Sequence, residues 1–459
     1  MKLYDTFTGT KKDFAPAGDE VKMYVCGPNL YGPCHVGHAL SYVVFDVLRR
    51  YLEYRGYRVR HVQNFTDIED RIIDVARQQG LSIRDLAEQY ISRFLQEMDA
   101  LEIRRAHHYT RATEYIHRMI EIVQKLVDNG HAYAAGGDVY FRVRSFPAYG
   151  RLSKRSLDEM EAGARIEVDA RKEDPMDFVL WKAAKEGEPS WPSPWGPGRP
   201  GWHIECTAMS TSLLGPQLDI HGGGQDVVFP HHENEIAQSE AYTGVAPFVR
   251  FWVHNGLLRL TEGEAEKMTR HAGNFVSIRD AVARYHPDAI RLFLLGSHYR
   301  SPRAYSEDEI VAQERAVERM RSALRPGVAT QGGHAFEAEE YRLRFLAAMD
   351  DDLNTPQALG VLFELVRDIN IHKEQKEDVT EAQRVLTELG GVLGLTFTAQ
   401  SGGDSASAQP FIELLLETRS KLRQVKQYAL ADGIRNKLTE LGVALEDSPQ
   451  GTTWRFQKS

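Results

Sequence analysis

The sequence has few cysteines, no long hydrophobic run and no excess of positive charge. Its three cysteines, an odd number in a chain of 459 residues, argue against a disulfide framework. No apolar run reaches membrane-spanning length, and residues 1–5 lack the apolar core of a signal peptide. Free cysteines without an export signal predict a cytoplasmic protein with no membrane partner. The net charge of -9 does not favour a general nucleic-acid-binding protein, although a local basic patch would allow one.

The composition is that of a soluble globular protein, with 42% hydrophobic and 26% charged residues. The chain is too long for one ordinary core, so about two to four domains are expected. Apolar strand patterns at 21–26 and 59–65 are each followed by a helical pattern. This alternation predicts an α/β fold in which helices cover the faces of a parallel sheet.

The strongest local signal surrounds Pro230, a residue that suits the first position of a helix, so we expect the helix to begin there. His231 and Glu235 are four residues apart and share one helical face, as a pair of metal ligands would. Cys26 and Cys206 add two thiolates, and the four groups together suit zinc. The alternative is a polar helix start behind a flexible loop, with two buried cysteines that act as small apolar residues.

Two glycine-bearing turns predict places where a ligand approaches the backbone. In residues 219–226 a strand ends in a histidine and three glycines, His221 to Gly224. The turn after Cys26 leads into a helix that begins near His35, and such a helix N-terminus binds anions. Gly37 would admit a phosphate, and His35 and His38 could donate hydrogen bonds to it. The alternative is two surface histidines near a helix start.

The following segments predict further helices and an insertion. Thr66 and Glu69 fit a capping box, so a helix is expected from there to Gly80, and Ser82 caps the next one. Residues 107–200 have the pattern of an insertion with a helix over 113–129 and a hairpin over 131–143.

The C-terminal third is almost wholly helical in pattern from residue 306, with Pro356 in a first helical turn. Residues 398–409, rich in Ser, Gly and Ala, predict a linker. A hairpin is expected over 443–456, and its Trp454 either stacks on unpaired bases or belongs to a small core. The segment between linker and hairpin favours contact with a polyanion, the alternative being a solvated face, because it concentrates basic residues: Arg419, Lys421, Arg423, Lys426, Arg435 and Lys437.

These motifs together resemble a class I aminoacyl-tRNA synthetase, and within that class a cysteinyl-tRNA synthetase. Residues 35–38 match the HIGH motif of the class, and residues 267–271 are a variant of its KMSKS loop. Cys26, Cys206, His231 and Glu235 match the zinc ligands of the cysteine-specific family. The resemblance covers essentially the whole chain, through context strings at 25–28, 64–68, 201–206, 219–238, 431–435 and 451–455.

The resemblance implies a Rossmann-like catalytic domain with an insertion, a helical bundle and a small C-terminal α+β domain. It implies that cysteine and ATP form cysteinyl-adenylate, and that the cysteinyl group then moves to the terminal ribose of cysteine tRNA. One Zn²⁺ per chain, Mg²⁺ with ATP and a monomeric state are implied as well. The implied domains are 1–106 with 201–250 (catalytic), 107–200 (connective insertion), 251–305 (KMSKS-loop and stem-contact region), 306–397 (helical bundle) and 410–459 (anticodon-binding domain).

The resemblance also implies a role for each site residue. Zinc would bind the substrate thiolate, with Thr66 and Trp202 as walls of the cysteine pocket. Lys267 and Arg270 would close over the pyrophosphate as catalytic cations together with His35 and His38. The ATP-binding set is Gly27, His35, Gly37, His38, His221, Gly222, Gly223, Lys267 and Arg270.

The sequence departs from the family pattern at several positions. Arg270 replaces the second lysine of the loop, which keeps the charge but not the geometry, and His271 replaces its last serine. Asn29 and Gly32 stand where Thr and Asp are more usual. Two alternatives stay open: a ligase on the same scaffold that joins cysteine to an amino sugar, which should lack the basic C-terminal unit, and a zinc-stabilised RNA-binding protein without catalysis.

Overall fold

The computed structural model describes residues 1–157, 170–259, 275–327, 335–398, 404–441, 443–448 and 451–456. The chain divides into two compact units, Met1–Phe397 and Thr398–Ser459. Within the described ranges, no helix is both long enough and apolar enough to cross a lipid bilayer.

The N-terminal part alternates strands with helices, which confirms the sequence prediction. Strands β3, β4 and β5 pair in parallel, while β1 and β2 form a separate antiparallel pair. The predicted apolar face of α1 is buried, from Val43 to Tyr51. The elements are β1 (Lys2–Asp5), β2 (Thr10–Asp13), β3 (Glu20–Val25), α1 (Val36–Tyr54), β4 (Arg58–Phe65), α2 (Asp70–Gln79), α3 (Ile83–Ala100) and β5 (His108–Arg111).

The start of α2 differs from the sequence prediction. The helix begins at Asp70, and the capping box expected at Thr66 and Glu69 is absent, because Glu69 makes no side-chain cap hydrogen bond. The hydroxyl of Thr66 instead donates to Oε2 of Glu205, 3.0 Å away on a helix far along the chain. The cap predicted at Ser82 is confirmed, since its hydroxyl oxygen accepts a hydrogen bond from the N–H of the residue three positions later.

The segment predicted as an insertion begins with β5, which forms one edge of the parallel sheet, and then forms a four-stranded antiparallel sheet of order β6-β7-β8-β9. The hairpin predicted over 131–143 is confirmed. The predicted helix is α4, preceded by a 3₁₀ turn over Ala112–Tyr115. The elements are α4 (Ile116–Asp128), β6 (Ala132–Ala135), β7 (Asp138–Phe141), β8 (Phe178–Ala183) and β9 (Gly198–Pro200).

The chain then returns to the parallel sheet and completes it. The five strands have the order β11-β10-β3-β4-β5, and every neighbouring pair is parallel. From β3 the chain continues to one side through β4 and β5, and later adds β10 and β11 on the other side. A ligand crevice is expected at such a switch point, at the carboxyl ends of β3 and β10. The added elements are α5 (Trp202–Leu214), β10 (Leu218–Gly224), α6 (Glu233–Thr243) and β11 (Val249–Asn255).

The rest of the first unit is mainly helical, as predicted. Pro356 lies in the first turn of its helix, and the Asn354 side chain accepts a hydrogen bond from the Gln357 N–H. The elements are β12 (Leu258–Arg259), α7 (Ile278–Arg284), α8 (Pro287–Leu295), β13 (Arg303–Ala304), α9 (Glu307–Leu324), α10 (Glu339–Asp350), α11 (Thr355–Glu374) and α12 (Thr380–Val392).

A fully buried arginine joins this helical part to α1, which packs on the parallel sheet. One guanidinium nitrogen of Arg291 donates to Oδ2 of Asp46 on α1 at 2.7 Å. The same side chain donates to the carbonyl oxygens of Leu101, after α3, and Leu393, after α12. Gly394 takes a left-handed φ of +75°, and a Cβ there would lie 2.1 Å from the guanidinium.

The second unit contains α13 (Asp404–Gln424), α14 (Tyr428–Glu440), β14 (Val443–Ser448) and β15 (Gly451–Phe456). The hairpin is confirmed, but α13 begins at Asp404, inside the segment predicted as a linker. Trp454 packs against the small core of the unit, with Ile412 and Leu438. Arg419 is buried and donates to the Thr452 hydroxyl at 3.3 Å, so it is not one of the exposed basic residues of this unit.

Candidate active site and metal centre

A cavity of about 340 Å³ opens at the carboxyl ends of β3 and β10, where the sheet topology predicts a ligand crevice. Cys26 follows β3 directly, and its N–H donates to the Gly222 carbonyl oxygen of β10 at 3.1 Å. The N-terminus of α1 lies at another wall of the cavity, through His35 and His38. The cavity is therefore lined both by cysteine thiols and by the N-terminus of a helix.

Four side chains at this cavity form a compact group of potential metal ligands. One ligand atom from each of Cys26, His231, His232 and Glu235 lies within 4.8 Å of the other three. Nε2 of His232 is 3.1 Å from Sγ of Cys26, and Nε2 of His231 is 2.9 Å from Oε1 of Glu235. The structure thus brings together three of the four ligands predicted from the sequence and adds His232.

The fourth predicted ligand, Cys206, lies beside this group on α5. Its Sγ is 4.0 Å from Sγ of Cys26. Two thiolates bound at about 2.3 Å to one tetrahedral zinc ion lie roughly 3.8 Å apart, so the sulfur pair fits a shared ion. In the described part of the chain, the buried Oε1 of Glu235 has no hydrogen bond of good geometry, although His231 is close. An orphaned carboxylate oxygen beside two thiols and an imidazole fits a metal site.

The charges at the centre also suit a cation. Burial alone would raise the pKa of Glu235, but His221 and His231 outweigh it and hold the pKa below its ordinary value. Hydrogen bonding to Cys26 and burial both raise the pKa of Cys206 well above its ordinary value. A metal that binds here must therefore displace protons from the thiols, while the carboxylate is already ionised.

Further histidines orient the potential ligands. In metal sites, such hydrogen bonds fix the tautomer and direction of the ligand side chain. The pairs are His203 with His231 (2.9 Å between Nδ1 atoms), His221 Nε2 with Glu235 Oε2 (2.7 Å) and His254 Nε2 with His232 Nδ1 (2.7 Å).

The helix that carries Glu235 begins later than the sequence predicts. Phe229 takes an extended conformation with φ -135° and ψ 133°, and a π turn follows it, so the regular helix α6 starts at Glu233 and not at Pro230. His231 and His232 lie in the π turn before it. The side chains of His231 and Glu235 nevertheless meet, because the turn continues into the helix with the same hand.

Four of the predicted ATP-binding residues line the cavity: Gly27, His35, Gly37 and His38. The His35 N–H donates a hydrogen bond to His38 Nδ1 at 3.1 Å, and the two rings lie 3.7 Å apart between centroids. A Cβ at Gly37 would lie 2.9 Å from the His35 ring, so the glycine also makes room for that imidazole. The structure therefore brings these predicted phosphate-binding groups to one cavity.

Both predicted walls of the cysteine pocket line the cavity. The Trp202 ring stacks on His231 with 4.3 Å between centroids and 24° between planes. Thr66 is held by its hydrogen bond to Glu205, a fully buried residue. Burial and the nearby Asp67 carboxylate raise the pKa of Glu205 well above its ordinary value.

Several predicted nucleotide contacts lie elsewhere. His221 is fully buried and contacts Glu235, so it stands behind the metal centre and does not line the cavity. Gly222 is packed inside the sheet, where a Cβ would lie 2.0 Å from the Val253 carbonyl oxygen, whereas Gly223 does line the cavity. Lys267 and Arg270 lie outside the described residues.

Two residues of the candidate site were not predicted from the sequence. His232 belongs to the metal group, and its position next to His231 was the signal that could have indicated it. Asp226 supplies a carboxylate among the described residues that line the cavity. Its position just after the glycines that end β10 was the corresponding signal.

Comparisons with known proteins identify the family. Residues 14–315 match the family model described as tRNA synthetases class I (C) catalytic domain, and residues 344–398 match the DALR domain. A cysteine–tRNA ligase of Dehalococcoides mccartyi is 51% identical over 460 residues, with 100% of both chains covered. The cysteine–tRNA ligase of Caldicellulosiruptor saccharolyticus is 47% identical, with 98% of this chain and 99% of that protein covered.

The chain belongs to the cysteine–tRNA ligase family. Because these relatives match over their whole length, the family includes the C-terminal unit that an amino-sugar ligase was expected to lack, and that alternative has no support. Among solved structures, a Mycobacterium tuberculosis methionyl-tRNA synthetase with methionyl-adenylate has a TM-score of 0.59 at 15% identity. It covers 82% of this chain and 90% of its own, which confirms the class I synthetase fold.

Proposed function

We propose that the chain activates L-cysteine with ATP and then charges cysteine tRNA. In the first step a cysteine carboxylate oxygen attacks the α-phosphorus of ATP, and pyrophosphate leaves. In the second step the terminal ribose hydroxyl of the tRNA attacks the cysteinyl carbonyl carbon, and AMP leaves. The observation that supports this best is one cavity with a thiol–imidazole–carboxylate group at one end and the α1 N-terminus at the other.

Cys26, Cys206, His231 and Glu235 would hold one zinc ion per chain. When bound there, zinc would supply a soft Lewis acid that prefers a substrate thiolate to a serine hydroxyl. We assign His232 the task of orienting Cys26 by a hydrogen bond, since its Nε2 is 3.1 Å from Sγ and its other nitrogen is held by a second histidine.

The amino acid would lie between the metal centre and the α1 N-terminus. Trp202 and Thr66 form its walls, and the stacking of Trp202 on His231 ties one wall to a proposed ligand. Asp226 is the carboxylate that we assign to the substrate ammonium group, because it lines the same cavity. Opposite charge at that position would orient the substrate carboxylate towards ATP.

ATP would bind with its phosphates at the α1 N-terminus, accompanied by Mg²⁺. Gly27, Gly37, His35 and His38 line the cavity, and the positive end of the α1 helix dipole favours phosphate oxygens there. Gly223 would face the adenylate. For His221 and Gly222 we propose support from behind the cavity, because His221 holds Glu235 and Gly222 is packed within the sheet.

Two sequence-based assignments extend the mechanism. Lys267 and Arg270, in the variant KMSKS loop, would stabilise the leaving pyrophosphate by their positive charge. The second unit would bind tRNA through the exposed cations of its helices, such as Arg423 and Lys426, which supply phosphate affinity. We further propose that the protein acts as a monomer in the cytoplasm, which light scattering and cell fractionation would test.

Cysteine-dependent exchange of pyrophosphate into ATP, followed by charging of total tRNA, tests the proposal. We expect exchange that requires cysteine, and acylation confined to cysteine tRNA. Exchange without tRNA charging would indicate a different acceptor. Absence of cysteine-dependent exchange would favour the non-catalytic RNA-binding hypothesis.

A further inference from the structure

One charged side chain of the cavity belongs neither to the metal centre nor to the nucleotide-binding residues. Arg71, in the first turn of α2, is the one arginine or lysine among the described residues that line the cavity. Asp226 is the one acidic side chain in the same described lining. The cavity therefore has one acidic and one permanently basic side chain, and only the acidic one has so far been assigned to a substrate group.

The charge of Arg71 is not neutralised by the two acids that precede it. Asp70 pairs with Lys182 at 2.6 Å and also with Arg199, two cations of the antiparallel sheet. Glu69 is half-buried, and burial keeps its pKa above the ordinary value although the charge of Arg71 acts to lower it. Within the described ranges of the chain, Arg71 forms no ion pair, so its charge is available to a ligand.

An aromatic ring supports the Arg71 side chain. The guanidinium carbon lies 5.6 Å from the centroid of the Tyr31 ring, and Nη1 is 3.5 Å from the Tyr31 hydroxyl oxygen. Tyr31 lines the cavity too. A guanidinium that rests on a ring keeps N–H donors at its edge for another partner. The ring also restricts the side chain before a ligand binds, which lowers the entropic cost of binding.

Arg71 lies on the side of the cavity where Thr66 forms a wall of the proposed cysteine pocket. The Leu30 N–H donates to the Thr66 carbonyl oxygen at 3.1 Å, and the Thr66 N–H donates to the Pro28 carbonyl oxygen at 3.3 Å. The turn that carries Tyr31 therefore runs alongside Thr66. Helix α2 begins four residues after Thr66, which brings Arg71 to the same side.

We propose that Arg71 binds the carboxylate of the substrate cysteine. A guanidinium offers two parallel N–H donors that match the two oxygens of a carboxylate. Cysteine has three groups that a site can hold, and the metal centre and Asp226 account for its thiol and its ammonium group. Arg71 supplies the partner for the third. The inference rests on the proposed function, because it concerns the amino acid that the cavity would activate.

This contact would position the carboxylate for its attack on ATP. Three fixed points, one for each group of the amino acid, define the direction of the attacking oxygen. The carboxylate and the α-phosphate are both anions and repel each other, and a cation beside them reduces that repulsion in the transition state. Arg71 would then act on the amino acid, while the α1 N-terminus acts on the phosphates of ATP.

The test compares two ligands on two proteins. Cysteamine has the thiol and the ammonium group of cysteine but lacks its carboxylate. Calorimetric titration without ATP measures the Kd of each ligand for the full-length protein and for Arg71→Gln. We expect Arg71→Gln to weaken cysteine binding about 10- to 100-fold, the scale for losing hydrogen bonds to a charged group, and to leave the Kd of cysteamine nearly unchanged. The two ligands should then bind the variant with similar affinity.

Two further variants serve as controls. Arg71→Lys keeps the charge without the planar fork, so it should recover part of the affinity for cysteine. Arg77→Gln removes an exposed cation further along α2, and the Kd of both ligands should stay at the value of the unchanged protein. Equal weakening of cysteine and cysteamine in Arg71→Gln would overturn the inference, because it would indicate a general disturbance of the pocket.

Titration with ATP separates this inference from a role in nucleotide binding. The Kd of ATP should be nearly the same for Arg71→Gln and the unchanged protein. Weaker ATP binding with unaltered cysteine binding would assign Arg71 to the nucleotide and contradict the inference, while the proposed function would stand. Failure of the unchanged protein to bind cysteine and to exchange pyrophosphate would instead overturn the proposed function, and this inference with it.

Discussion

Nε2 of His232 lies 3.1 Å from Sγ of Cys26, whereas the two sulfur atoms of Cys26 and Cys206 are 4.0 Å apart. The sequence indicated Cys206 as the partner of Cys26 in a zinc site, whereas the compact group contains His232. Both arrangements supply four ligands. The zinc content of variants at Cys206 and His232 distinguishes the two ligand sets.

The first prediction concerns Cys206. We expect protein purified without a chelator to contain one zinc ion per chain, and Cys206→Ser to lower that content, because serine is a poor zinc ligand at neutral pH. Cysteine binding should weaken more than ATP binding. Cys34→Ser is the matched control, since Cys34 is a buried core cysteine. Full zinc retention in Cys206→Ser would remove this residue from the site.

His232→Asn should distinguish an orienting residue from a ligand. If His232 only orients Cys26, zinc affinity measured by chelator competition should fall about 10- to 100-fold, the usual effect of losing an outer hydrogen bond. One zinc ion per chain should still bind at saturating metal. Complete loss of zinc from His232→Asn, with zinc kept in Cys206→Ser, would show that the geometric group is the true ligand set.

Serine should be rejected during activation. It offers no thiolate to the metal centre, and a site built around one required atom discriminates by about 10⁴-fold or more. The ratio of kcat/KM for cysteine and serine in pyrophosphate exchange measures this directly. Similar efficiencies for both amino acids would mean that the metal centre serves the fold and not the choice of substrate.

Arg270 is expected to act in activation and not in folding. It belongs to a charged stretch of sequence without apolar periodicity, so Arg270→Ala should leave Tm nearly unchanged. The rate of adenylate formation should fall by about 10²-fold, the scale for losing one electrostatic stabiliser. Arg270→Lys restores the usual lysine of the KMSKS loop and serves as the control. An unchanged activation rate in Arg270→Ala would show that Lys267 suffices.

Removal of the second unit should separate activation from tRNA binding. A chain that ends near residue 401 keeps the whole of the first unit, including the metal centre and the cavity. It should retain zinc and pyrophosphate exchange, while the KM for tRNA rises strongly and its salt dependence becomes flatter. Charging of cysteine tRNA as efficient as that of the full chain would exclude the second unit from anticodon binding.

Much of this site could be predicted from the sequence, because several of its residues lie directly beside a strand or helix end that a local pattern indicates. The positions of Cys26 after β3, of His35 before α1 and of Glu235 one turn after His231 depend on the order of strands and helices. Local patterns sufficed for these residues. They also sufficed for the terminal hairpin and for the proline at the start of α11.

Other features depend on contacts between distant segments, which no local pattern reveals. Thr66 forms no cap because Glu205, 139 residues later, accepts its hydrogen bond. His221 faces Glu235 because the sheet and α6 bury both side chains together. Trp454 had two equal interpretations in the sequence, and only the packing of the C-terminal hairpin on its helices placed it in a core.

The buried guanidinium of Arg291 has a consequence for how the first unit unfolds. It donates hydrogen bonds to Asp46 on α1 and to the Leu393 carbonyl oxygen in the helical part. Removing one partner of such a buried ion pair costs about 3–5 kcal/mol. Separation of the helical part from α1 would therefore leave the buried carboxylate of Asp46 without its Arg291 partner. The first unit should therefore unfold in one cooperative transition. In a chimaera, the C-terminal unit could come from a relative, but α1 and the helical part would have to come from the same parent.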